Sequence, residues 1–171
     1  MNDEDYGFII DQMLWSFSRL NSFYNCPYEW KRKYIDCEYG EPGFFGEFGT
    51  LCHSLLERYI KGDISIFELS QCYENEFNDV VVHDAPPNQY VDIRQSYFDK
   101  GLAFFNNIDL QLENYDILGV EKEVRFQLGG KNFIGFIDLL LREKITGRII
   151  ILDHKSASLK FKKNGEVSKT D

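Results

Sequence analysis

Phe136-Ile137-Asp138-Leu139 and, fifteen residues further along, Ile149-Ile150-Ile151-Leu152-Asp153-His154-Lys155 are the stretches that decide the fold of this chain. Each is a run of β-branched or large apolar residues that arrives at an acid, which reads as a strand with a polar end. Gly147 stands between them and offers a turn, so the two strands are expected to pair as neighbours. Pairing would bring Asp138 and Asp153 together. Two carboxylates held that close need a cation, and hard oxygen donors select Mg²⁺ or Mn²⁺ rather than zinc. Residues two apart in a strand share a face, so Lys155 is expected to point where Asp153 points, and His154 the other way. An ammonium beside two acids can stabilise developing negative charge or help to position and deprotonate a water. An acid-x-lysine triplet also arises by chance and is commonly a solvated strand end, so the rest of the chain must bear on the reading.

Upstream, Gly49-Thr50-Leu51-Cys52-His53-Ser54-Leu55-Leu56-Glu57 reads as a helix, with Phe48, Leu51, Leu55, Leu56 and Tyr59 forming an apolar arc at helical spacing. His53 and Glu57 are four apart and share a face at the edge of that arc, where a side chain is both held and wetted. A lone histidine in such a place is commonly a structural residue. With a carboxylate one turn on and two strand-borne acids downstream, a ligand role is favoured, since neutral imidazole can join a metal site when its other nitrogen is oriented by a partner. Further upstream, residues 16–33 read as a short helix capped by Ser18, a break, and a second helix opened by Pro27 that runs into Lys31-Arg32-Lys33.

The pattern S-x-S-R-L-x-x-F-x-x-C-P-x-x-W, then G-x-x-x-H-x-x-L-E, then G-x-x-D-L, then L-D-x-K resembles the RecB-type branch of the PD-(D/E)xK nucleases, over about Leu14 to Ser158. The resemblance implies a restriction-endonuclease-like α/β fold, in which an N-terminal helical layer packs on a central mixed sheet. It implies a metal site built from His53, Asp138, Asp153 and the backbone carbonyl of His154, with Mg²⁺ or Mn²⁺ as cofactor. Lys155, Asp153 and Asp138 would then be catalytic and Glu57 supporting. Gly135 matches the family's glycine and would allow a close backbone approach. Glu121 and Glu123 fall where relatives often carry an acid, but are read as structural or surface residues. Relatives continue into a helix with a glutamine and a tyrosine one turn apart and then a further strand. Neither is visible here, so the C-terminal part of the core is expected to be missing. Iron–sulfur members pair a cysteine at the position of Cys26 with three more near the C-terminus. Cys37, Cys52 and Cys72 lack CxxC spacing, which argues against a cluster and for reduced, buried or half-buried thiols.

Between these motifs, Ser65 can cap a helix from Ile66 to Val80, with Phe67, Leu69, Tyr73 and Phe77 for packing. Pro86-Pro87 breaks the chain, a second helix runs from Tyr90 to Asn107, and Gly129-Gly130 reads as a hairpin turn. The expected architecture is one nuclease-like domain: 1–112 mainly helical and carrying His53, 113–158 the sheet core with strands near 117–127, 132–142 and 147–153, and 159–171 a polar, basic tail. No run is long enough to span a membrane, and the acidic N-terminus lacks the makings of a signal peptide, so a cytoplasmic place in a bacterial or virus-infected bacterial cell is expected.

A net charge of −9 argues against a protein that simply coats nucleic acid, since phosphate neutralisation dominates such binding. The charge is uneven, however. Lys31, Arg32 and Lys33 stand beside Tyr28, Trp30 and Tyr34, and Lys160, Lys162 and Lys163 make the tail basic, a pattern suited to single strands or frayed duplex ends. For the first cluster, the wet face of a helix is an equal reading. The chain is therefore expected to be a deoxyribonuclease, most simply an exonuclease, with DNA as partner and a helicase or second nuclease subunit, or a second copy, as further partners. The rival expectation is a catalytically inactive nuclease-like module that binds DNA ends or a partner protein.

Overall fold

The structure, a computed structural model, describes residues 3–155. The helices are α1 (Asp3–Gln12), α2 (Phe17–Asn25), α3 (Pro27–Tyr34), α4 (Phe44–Lys61), α5 (Leu69–Val80) and α6 (Ile93–Asn107). A 3-10 turn (Leu112–Asn114) then leads into β1 (Tyr115–Leu128), β2 (Lys131–Glu143) and β3 (Ile149–Leu152). The change from helix to strand falls where the sequence places it. The described residues divide into two compact units, 3–41 with 112–152 and 42–111 with 153–155.

In the first unit, β2 lies between β1 and β3 and runs antiparallel to both. Gly129 and Gly130 take φ values of 57° and 75°, the left-handed pair that a two-residue hairpin demands. Gly147, with φ 72°, serves the β2–β3 connection. Leu139 and Leu141 on one face of β2 are 0% and 3% exposed and pair with Leu152 and Ile150. The opposite face leaves Phe136, Ile149 and Ile151 exposed. Because side chains alternate, burial of the two leucines turns Asp138 to the second face. The α/β class is as expected. Among the described residues, the ladder strands are all antiparallel, and the sheet is mixed only through an isolated parallel bridge between Trp15 and Phe133. That bridge is closed by Trp15 N–H to the Asn132 carbonyl and Ile134 N–H to the Trp15 carbonyl, each 2.8 Å.

Met13 and Trp15, in the connection between α1 and α2, and Trp30 of α3 form a buried cluster, against which Ile9, Ile10, Tyr34, Ile35 and Phe133 pack. The Trp15 and Trp30 rings stack with centroids 5.8 Å apart. Pro27 opens α3 as expected, with Cys26 as its cap. Ser16, rather than Ser18, caps α2: its backbone is extended and its Oγ accepts the Arg19 N–H at 3.2 Å. Ser18 lies inside the helix with its Oγ 3.0 Å from that of Ser16.

In the second unit, α4 packs on α5 and α5 on α6. The apolar arc of α4 is real, with Phe48, Leu51, Leu55 and Leu56 buried. Two boundaries differ from expectation. Ser65 does not cap a helix at Ile66: its N–H and Oγ both donate to Glu68 Oε2, at 2.8 and 2.7 Å, closing a turn that delays α5 to Leu69 and leaves Phe67 91% exposed. Helix α6 begins at Ile93, because Asp92 accepts the Gln95 N–H at 2.9 Å while Asn88 holds the N–H groups of Tyr90 and Val91. Cys52 is buried and its thiol is pushed up to about 12, but Cys37 is exposed rather than half-buried. No helix among the described residues is long and apolar enough to cross a membrane.

Two local constraints hold this unit together. A Cβ at Gly101 of α6 would lie 2.2 Å from Tyr73 Oη, so glycine permits the close approach of fully buried Tyr73 from α5. Glu47 of α4 accepts the His83 N–H at 2.9 Å and meets His83 Nδ1 at 2.6 Å, while the Arg94 guanidinium donates to the Val81 carbonyl at 2.7 Å. Gly101→Ala is expected to destabilise the protein by about 1–3 kcal/mol through overpacking, read as a lower midpoint in urea. The His83 N–H holds the Glu47 carboxyl below its ordinary value of 4.5. The stability it contributes is therefore present above that value and lost as pH falls through the lowered folded value. Thermal melts against pH should show acid destabilisation that Glu47→Gln reduces.

Candidate active site

The first unit brings two carboxylates together. The β1–β2 register pairs Val120 with Leu139 and Lys122 with Ile137, which leaves Glu121 opposite Asp138. Directly opposed residues share a face of the sheet. Carboxylate oxygens of Glu121 and Asp138 lie within 4.8 Å of each other, and both residues are half-buried. Glu121 has φ 48°, a left-handed conformation that costs a non-glycine residue on the order of 1–2 kcal/mol and that clusters at functional positions. Oxygen donors at this separation suit one hard divalent cation between them. Asp138 thus stands beside a second acid on the sheet.

Glu121 is the residue that sequence reasoning set aside. Position alone groups it with Glu123 as structural or surface, and the structure separates the two. Glu123 Oε1 accepts from Arg125 Nε at 2.5 Å, and both are exposed. The signal was available: Glu121 and Asp138 stand eight residues out from the Gly129-Gly130 turn on either side. Gly135 has a different part from the one expected. A Cβ there would meet only Val124 Cγ2 at 3.6 Å, an ordinary contact, so no close approach requires the glycine.

The second unit holds a cavity of about 330 Å³ whose lining includes His53, Asp153, His154 and Lys155. Buried Cys52 and Leu56 flank His53 on α4 and aim its half-buried ring into that space. Lys155 Nζ lies 2.9 Å from Asp153 Oδ2 and 3.0 Å from Oδ1. Such an exposed pair adds little stability, which leaves both groups available to a ligand. His154 corrects an expectation. Strand β3 ends at Leu152, so alternation does not carry through to residue 154, and the His154 ring lines the same cavity as His53, with centroids 6.3 Å apart and planes at 84°. Glu57 lies one helical turn below His53 and accepts from Lys61; it does not line the cavity.

The basic cluster is largely tied to local acids. Lys31 Nζ is 2.8 Å from Asp36 Oδ2 and Arg32 Nε 2.6 Å from Glu38 Oε2, hydrogen bonds that raise both basic pKa values. Lys33 Nζ lies 5.5 Å from the Tyr34 ring centroid. Trp30 belongs to the core, while Tyr28 is exposed. Lys160, Lys162 and Lys163 lie outside the described residues.

A model of the PD-(D/E)XK nuclease superfamily matches residues 14–170. No curated protein and no solved structure matches the chain.

If the opposed carboxylates hold a cation, Mn²⁺ should raise the melting temperature by mass action. Glu121→Gln is expected to weaken Mn²⁺ affinity by at least about tenfold and shrink that rise, while Glu123→Gln leaves it intact. Equal effects of the two substitutions in a thermal-shift titration would remove Glu121 from the site.

Proposed function

The chain belongs to the PD-(D/E)XK nuclease superfamily, and we propose that it is a divalent-metal-dependent deoxyribonuclease of the RecB-type branch, acting as an exonuclease in recombination, repair or phage DNA processing. The observation that carries this reading is that Asp153 and Lys155 of the D-x-K motif, 2.9 Å apart as an ion pair, line the same cavity as His53. The opposed Glu121 and Asp138 carboxylates support it from the sheet.

In this proposal, His53, Asp138, Asp153 and the His154 carbonyl hold Mg²⁺ or Mn²⁺, with Glu121 as a further oxygen donor beside Asp138. The donor set fits such an ion, being dominated by hard oxygen with one imidazole. When bound, the ion supplies Lewis acidity toward a phosphate oxygen and lowers the pKa of water. The chain's own groups then have separate tasks. The Lys155 ammonium, oriented by the Asp153 carboxylate, faces the cavity and offsets charge that develops on the phosphate. Helix α4, whose buried arc fixes its rotation, presents His53 on its wetted edge. Glu57 supports that helix through its pairing with Lys61 and has no part in the reaction.

The chain is read as working within one nuclease domain on single strands or duplex ends in the cytoplasm of a bacterial or virus-infected bacterial cell. Exposed Tyr28 and the cations Lys31, Arg32 and Lys33 are proposed to guide the strand. The exposed ion pairs of Lys31 and Arg32 are weak enough to exchange for phosphate. A helicase or partner nuclease subunit, or a second copy of the chain, is the proposed macromolecular partner.

The test is cleavage of end-labelled linear DNA with Mn²⁺, Mg²⁺ or EDTA. Metal-dependent degradation is expected, abolished in Asp153→Ala. In Lys155→Ala, a loss of about a hundredfold or more is expected with metal binding retained, as befits a group that acts on transition-state charge. DNA binding without cleavage under any metal would instead favour an inactive nuclease-like module.

A further inference from the structure

The cavity that holds His53, Asp153 and Lys155 has another wall that no motif accounts for. Lys100, Gly101 and Phe104 of α6 form one face of a helical turn and line the same space. We propose that this face is a nucleotide subsite, in which Phe104 stacks against a base of the DNA strand and Lys100 takes the phosphate next to the one that is cut. The inference rests on the nuclease reading and adds to it the residues that seat the strand.

Three observations carry it. The first is the aromatic: Phe104 is 48% exposed, whereas its neighbour Phe105 is 2% exposed. The two rings meet edge to face with centroids 5.1 Å apart, and Phe105 in turn packs on buried Tyr73 at 5.2 Å. Phe104 is thus braced from behind by core aromatics while its outer face is open, which is how a stacking platform is made. The second is charge: among the described residues Lys100 forms no ion pair, unlike Lys31, Arg32, Arg58, Lys61, Arg125 and Lys131. Its ammonium lies 5.8 Å from the Tyr97 ring centroid, a contact that directs the chain without neutralising it. The third is placement. Tyr73 Oη at 2.2 Å from the site of a Gly101 Cβ fixes this turn of α6, so Lys100 and Phe104 are displayed from a backbone that cannot slide outward without losing the contact. The space, about 330 Å³ and lined by apolar Phe48 and Leu56 as well as by Lys100 and Lys155, is of the size and character of a small-ligand pocket. Apolar lining for a base with separate ammonium groups for successive phosphates complements a nucleotide strand.

The experiment measures binding of a short fluorescein-labelled oligothymidylate by anisotropy in Ca²⁺ across a salt series, with cleavage kinetics in Mn²⁺ alongside. Phe104→Leu keeps the apolar bulk but removes the stacking face, and should weaken binding by about five- to a hundredfold, with Phe104→Trp retaining it. Lys100→Ala should lower the slope of log K against log salt by about 0.7 and raise KM with little change in kcat, and Lys100→Arg should restore both. Cleavage by the unsubstituted chain, with KM, affinity and salt slope unmoved in Lys100→Ala and Phe104→Leu, would overturn the subsite alone. Neither cleavage nor oligothymidylate binding by the unsubstituted chain would overturn the nuclease reading and the subsite with it.

Discussion

The register of β2 between its antiparallel neighbours is the constraint on which the acidic chemistry depends. Leu139 and Leu141 are buried almost completely, and each is worth roughly 1.5–3 kcal/mol of apolar burial. A slip of one residue would expose both and drive Asp138 into the apolar face, where an unpaired carboxylate costs several kcal/mol more. The leucines therefore fix the acid. The same register sets Glu121 opposite Asp138 and sets Leu152 opposite Leu139, so the chain leaves β3 at Asp153 with no residue to spare. What the two ladders of β2 decide is which carboxylates face which way.

The helical unit solves a different problem, that of presenting polar groups from an apolar scaffold. Helix α4 buries Leu51, Leu55 and Leu56 and leaves His53 at their margin. Helix α6 is set by the Gly101–Tyr73 contact and leaves Lys100 and Phe104 at its own margin. In both helices the functional candidates sit one step off the buried stripe, so core packing supplies their orientation. The Glu47–His83 pair ties α4 to the segment after α5, and Arg94 of α6 binds carbonyls of that same segment. Polar contacts here join helices that the aromatic core already brings together.

Much of this was legible in the residues. Strand positions, the hairpin at Gly129-Gly130, Pro27 at the start of α3 and the apolar arc of α4 all follow from periodicity and turn chemistry, because each is a local preference that the packing reinforces. The misreadings arose where a side chain competed with the local rule. Ser16 captured the cap expected of Ser18, and Glu68 drew Ser65 into a turn in place of a helix start. His154 escaped strand alternation because β3 ended a residue early. Glu121 was passed over because its left-handed backbone and its partner across the hairpin are invisible to a reading that takes one strand at a time. Lys100 and Phe104 carry no motif at all; only the cavity assigns them a common purpose.

If the carboxylates fixed by the β2 register hold the divalent cation that the proposed hydrolysis requires, that cation must bind the unsubstituted chain and depend on Asp138. Calorimetric titration of Mn²⁺ into the unsubstituted chain and into Asp138→Asn tests it most directly. Saturable binding is expected, lost or severely weakened in Asp138→Asn while the melting curve without metal is preserved. Undiminished Mn²⁺ affinity in Asp138→Asn, or no binding to the unsubstituted chain, would contradict it.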